Sequence, residues 1–83
     1  MAESILLRIL RGSSDANIRF SDLCALLSRL GFSERTKGSH HIFTREGVPE
    51  ILNLQPRHSL AKPYQVKQVR KVLVQHKLTE EAE

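Results

Sequence analysis

Two imidazoles stand side by side at His40 and His41, directly after Lys37, Gly38 and Ser39 and just before Ile42, Phe43 and Arg45. The ordinary pKa of histidine lies near neutrality, so its ring takes or gives a proton under cellular conditions. Lys37 and Arg45 bracket the pair with positive charge, which attracts a polyanion. Together these residue types point to acid–base chemistry on a phosphate-bearing substrate, with RNA the natural candidate. Neighbouring histidines on a strand also serve as plain hydrogen-bonding residues, so the pair by itself leaves both readings open.

The segments around the pair predict how it is held. Residues 39–45 read as a strand that follows a tight turn at Gly38, with strands at 32–37 and, after the turn at Glu46 and Gly47, at 50–55. Before them, Ser21 offers an N-cap and Asp22 suits a first helical turn. Leu23, Leu26, Leu27 and Leu30 follow helical spacing, and Gly31 is a natural stop. Pro56 ends the third strand, residues 57–62 read as a polar loop, and Pro63 suits the start of a closing helix. In that helix Val66, Val69, Val72 and Leu73 share one face, while Lys67, Arg70 and Lys71 share the opposite one. The expected fold is therefore α+β in two layers: a three-stranded antiparallel sheet with two helices on one face. A short helical extension over residues 3–11, with Ile5, Leu6, Ile9 and Leu10 on one side, and a loop over 12–17 precede it.

Eighty-three residues bound the chain to one small domain with a thin, mainly aliphatic core. Cys24 is the only cysteine, which excludes an internal disulfide and fits a reducing compartment; beside the leucine stripe it reads as a small, partly buried hydrophobe. No Cys–His or carboxylate–His spacing provides a metal set, so neither metal nor cofactor is expected. The apolar run from Ile5 to Leu10 is short and carries Arg8, so it reads as neither signal peptide nor membrane span, and a cytoplasmic protein is expected. The net charge of +4 understates the basicity of the body. Between Arg35 and Lys77 nine Lys/Arg face only Glu46 and Glu50, and all four histidines fall in that window. An anionic partner, nucleic acid or acidic protein, is the expectation.

The helix–strand–strand–strand–helix order, joined to Gly38-Ser39-His40-His41-Ile42-Phe43, resembles the HicA toxins of bacterial toxin–antitoxin pairs. The resemblance spans residues 20–78, with 1–19 an N-terminal extension and loop and 79–83 an acidic tail. It includes the helix end at Leu30-Gly31-Phe32, a third strand ending at a proline, and a Val/Leu helix with a basic outer face. It implies a double-stranded-RNA-binding-domain-like fold, metal-independent mRNA endoribonuclease activity, and a HicB-like antitoxin partner that holds the toxin inactive. Where such proteins commonly carry a proline–histidine–proline element, this chain reads Pro56-Arg57-His58.

The resemblance also implies that the catalytic imidazole lies in the Gly-Ser-His turn, which assigns it to His40. Alternation supports that choice: if Phe43 faces the core, His41 turns inward with it and His40 faces out. A one-residue register slip reverses the assignment, so His41 is the alternative. Lys37, Gly38, Ser39 and Arg45 would hold phosphate or let backbone approach it. Lys67, Arg70 and Lys71 would contact RNA or an antitoxin. His58 reads as a solvated loop histidine or a second proton-transfer group, and His76 as structural. A non-catalytic RNA-binding module is the competing reading.

Overall fold

The leucines at helical spacing mark the first long helix. Leu23, Leu26 and Leu27 are fully buried in α2 (Phe20–Arg29), as is Leu30 at its C-cap. Each such burial contributes roughly 1.5–3 kcal/mol. The computed structural model describes residues 4–79. Before α2 come α1 (Ile5–Arg11) and a single 3-10 turn at Asp15–Asn17. After it, β1 (Ser33–Lys37), β2 (His40–Arg45) and β3 (Val48–Leu54) form an antiparallel sheet in the order β1-β2-β3. A two-stranded ribbon of β4 (Pro56–Arg57) and β5 (Leu60–Ala61) follows, and α3 (Pro63–Gln75) closes the chain.

The architecture is α+β, with the helices packed on one face of the sheet. Phe43, Leu52 and Leu54 point into the core and meet Val66, Val69 and Leu73 of α3, all fully buried. α1 belongs to the same core through Leu6 and Ile9. No helix among the described residues is long and apolar enough to cross a membrane. The expected acidic tail lies, beyond Thr79, outside the described residues, as does Glu3 of the expected first helix.

Two local expectations are corrected. Ser21 is not the N-cap of α2; the helix begins at Phe20, with Arg19 as N-cap and no capping side chain. The Phe20 amide is satisfied from outside the helix by the carbonyl of Ser59, at 3.0 Å. Residues 57–62 are not a loop either. Arg57 pairs with Leu60 across a tight turn whose central residues, His58 and Ser59, have φ of 52° and 67°. Such angles normally call for Gly or Asn, so the sequence carried no turn signal here. Backbone contacts with the segment before α2 hold the ribbon instead: Ala61 N–H donates to the Ile18 carbonyl at 2.8 Å, and Arg19 bridges Leu60.

α2 ends as its glycine predicts. Gly31, at φ 94°, lets Phe32 N–H reach the Leu27 carbonyl (3.0 Å) and its own N–H reach Ser28 (3.1 Å). At the far edge of the sheet, His76 Nε2 donates to Glu50 Oε1 at 2.8 Å. That hydrogen bond, and then a backbone one, hold the Glu50 carboxyl below its ordinary range. A depressed folded pKa stabilises the protein above the unfolded value, and the contribution disappears as pH falls through the folded one. Glu50→Gln should therefore flatten the acid side of the stability curve. Urea midpoints measured from neutral pH downward check this, and equally steep curves for both proteins would show that the contact adds nothing.

Candidate functional site

A two-residue turn delivers the histidine pair. Lys37 and His40 face each other across the β1–β2 ladder, leaving Gly38 and Ser39 as the connection. Gly38 has φ 62°, the conformation the first central residue of a type II′ turn requires. Since neighbours in a strand point to opposite faces, His40 and His41 part company immediately.

Phe43 is fully buried, and His41 shares its side of the sheet. The His41 ring meets Phe20 edge-on with centroids 4.9 Å apart, and its Nδ1 donates to Glu34 Oε2 at 2.6 Å. His40 stands on the uncovered face with Ile42, and cross-strand pairing puts Arg35 and Lys37 of β1 beside them. Asn53 and the exposed Ile51 of β3 complete that face. No paired position on it carries a carboxylate among the described residues. Lys37, Gly38, His40, Ile42 and Asn53 line a shallow depression there.

His40 is oriented by a neighbour. Its Nδ1 lies 3.0 Å from Asn53 Oδ1, an oxygen that can only accept. The neutral ring therefore keeps its proton on Nδ1, and Nε2 is the free base. Behind the turn, Gln55 Nε2 donates to Ser39 Oγ at 2.8 Å, and Lys62 Nζ reaches Gln55 Oε1 at 3.4 Å. Gln65, only 2 % exposed, fixes Gln55 in turn. With its amide oriented to satisfy both groups, it donates to the Gln55 carbonyl at 3.0 Å and accepts from the Gln55 N–H at 3.1 Å. This side chain acts as one more strand residue at the end of β3.

A family model described as HicA toxin of bacterial toxin-antitoxin matches residues 20–78. The chain belongs to the HicA toxin family. No curated protein and no solved structure gives a significant match. Membership brings with it a place in a toxin–antitoxin pair and an antitoxin partner. The family stretch runs from α2 through α3 and contains the whole uncovered face, whereas α1 lies outside it.

Two residues expected to contact RNA or an antitoxin, Arg45 and Arg70, are engaged within the protein. Arg45 shares the core side of β2, and its Nε donates to the Leu30 carbonyl at 2.8 Å, a cation at the negative end of α2. Gly31 leaves room for it, because a Cβ there would meet Arg45 Nε at 3.2 Å. Arg70 does not share the outer face with Lys67 and Lys71. Its two terminal nitrogens grip Asp15 at 3.0 and 3.2 Å, and Nη1 also donates to the Ile9 carbonyl at 2.9 Å. Four residues after Val66 and three before Leu73, Arg70 lies at the edge of the apolar face of α3, on the flank against which α1 packs. Lys67 and Lys71 are exposed.

Of the other histidines, His58 is exposed at the ribbon tip, and His76 pairs with Glu50. Cys24 is half-buried, and burial, followed by the nearby Glu34, pushes its thiol up to about 11. Sequence reading missed Arg35, Asn53, Gln55 and Gln65. Strand alternation alone could have found Arg35. The three amides carry no sequence signal, since their roles depend on which strand lies next to which.

Proposed function

We propose that this HicA toxin is a metal-independent mRNA endoribonuclease that uses His40 as its general base. The observation that carries the reading is the His40–Asn53 pair on a cationic, uncovered sheet face. Nε2 of His40 takes the proton of a ribose 2′-hydroxyl, and the 2′-oxygen attacks the adjacent phosphorus. The bond to the 5′-oxygen breaks, and that oxygen takes a proton from solvent. Lys37 and Arg35 stabilise the charge that builds on the phosphoryl oxygens. Gly38 and Ser39 let the RNA backbone come close to the strand.

The antitoxin fits the same face. An acidic surface laid over Arg35, Lys37 and His40 excludes RNA by occupancy and charge, with Lys67 and Lys71 a second basic surface for either partner. An mRNA substrate is in keeping with a cytoplasmic protein.

End-group analysis of a cleaved RNA tests the chemistry. Purified protein in EDTA should leave 2′,3′-cyclic phosphate and 5′-hydroxyl ends, because the 2′-oxygen is the nucleophile. Loss of cleavage in EDTA, or 5′-phosphate ends, would sink the mechanism. Salt-sensitive binding with no cleavage would favour a non-catalytic RNA-binding module.

A further inference from the structure

Behind the catalytic strand, on the covered side, three ligand types converge that lie far apart in sequence. Cys24 comes from α2, Glu34 from β1 and His41 from β2. The cysteine sulfur, a glutamate oxygen and a ring nitrogen of the histidine all lie within 4.8 Å of one another. We propose that this cluster binds a single zinc ion through Cys24, Glu34 and His41.

The donor set selects the metal. One sulfur, one imidazole nitrogen and one carboxylate oxygen suit a borderline-soft ion with no geometric preference of its own, and are poor for magnesium or calcium. In a tetrahedral zinc site neighbouring donor atoms stand about 3.5 Å apart. Small side-chain rotations bring the trio to that spacing: the Glu34–His41 contact of 2.6 Å opens, and the sulfur closes in. Phe20 fixes the plane of the His41 ring from one side. Phe20, Ser21, Pro56 and Ser59 wall the depression into which the three side chains project, leaving space for a water as fourth ligand. On binding, the Cys24 thiol gives its proton to solvent and coordinates as thiolate.

The site differs from the cleavage centre in place and task. His41 and His40 point to opposite faces, so a metal held by His41 does not touch Nε2 of His40. What the metal does is tie α2 to β1 and β2, the two strands that carry Lys37 and His40. The expected result of binding is a firmer fold, and the inference stands apart from whether the protein cleaves RNA.

Cobalt reports the thiolate directly. Full-length protein, reduced with a phosphine and freed of metal, is titrated with Co²⁺ and then with Zn²⁺, which is also followed by calorimetry and thermal unfolding. One equivalent of Co²⁺ should produce a thiolate-to-cobalt charge-transfer band that Zn²⁺ abolishes, and Zn²⁺ should raise the unfolding midpoint. Cys24→Ser should lose the band, and both it and Glu34→Gln should bind Zn²⁺ more than about tenfold more weakly. Circular dichroism verifies that both variants are folded. Absence of the band at one equivalent would overturn the proposal. So would equal Zn²⁺ affinity in wild type and Cys24→Ser, which would point to the exposed His40 and His58 instead.

Discussion

His40→Ala should bind RNA yet cleave it about 10²–10⁴-fold more slowly than wild type, the usual contribution of a positioned general base. Stability should hardly change, because an exposed strand side chain carries little of it. The uncovered face keeps Arg35 and Lys37, so affinity and its salt dependence should stay close to wild type. Induced expression offers a second measure, with growth arrest by wild type and none by the variant. The decisive contrast is His41→Ala, which loses the contacts to Phe20 and Glu34 on the other side of the strand. Full cleavage by His40→Ala, with loss in a folded His41→Ala, would move the chemistry to the covered face and refute the assignment.

Ile9→Ala should destabilise the protein by about 2–5 kcal/mol, the range for emptying a filled aliphatic site. Ile9 is fully buried although it lies outside the family stretch. For a domain of this size the thermal midpoint should drop by at least ~8 °C. The change also disturbs the place where Arg70 meets α1, since the carbonyl that accepts from Arg70 belongs to Ile9 itself. A midpoint within a degree or two of wild type would mean that α1 is an appendage and that the core begins at Ile18.

What was legible in the sequence was what repeats locally. The stripe of Leu23, Leu26, Leu27 and Leu30, the valines of α3 and the alternation around Phe43 each report one element, and together they fix the layers and the face His40 occupies. The internal contacts of Arg45 and Arg70 are illegible in the sequence for one reason. Each guanidinium reaches a carbonyl or carboxylate brought near by another part of the chain. The ribbon at Pro56–Arg57 and Leu60–Ala61 was invisible because its turn residues, His58 and Ser59, are unsuited to their angles, and the ribbon is held instead by bonds from Phe20 N–H to Ser59 and from Ala61 N–H to Ile18. The convergence of Cys24, Glu34 and His41 has no signature in sequence spacing for the same reason. Its donors become neighbours only when α2 lies across β1 and β2.

The Arg70 clasp carries a consequence for the order of assembly. The three strands are a meander of adjacent hairpins, and α2 feeds directly into it, so most of the sheet closes through short loops. Arg70 instead meets partners 61 and 55 positions away, at Ile9 and Asp15. Closing so long a loop costs more chain entropy than forming a hairpin, and contacts of that kind are made late. The clasp is therefore expected to close after α3 has packed against the sheet and to be largely absent from the folding transition state. Weakening it should speed unfolding and leave the folding rate nearly unchanged. The Arg70 clasp should thus bear on how long the folded toxin persists, and the meander with its flanking helices on how quickly it appears.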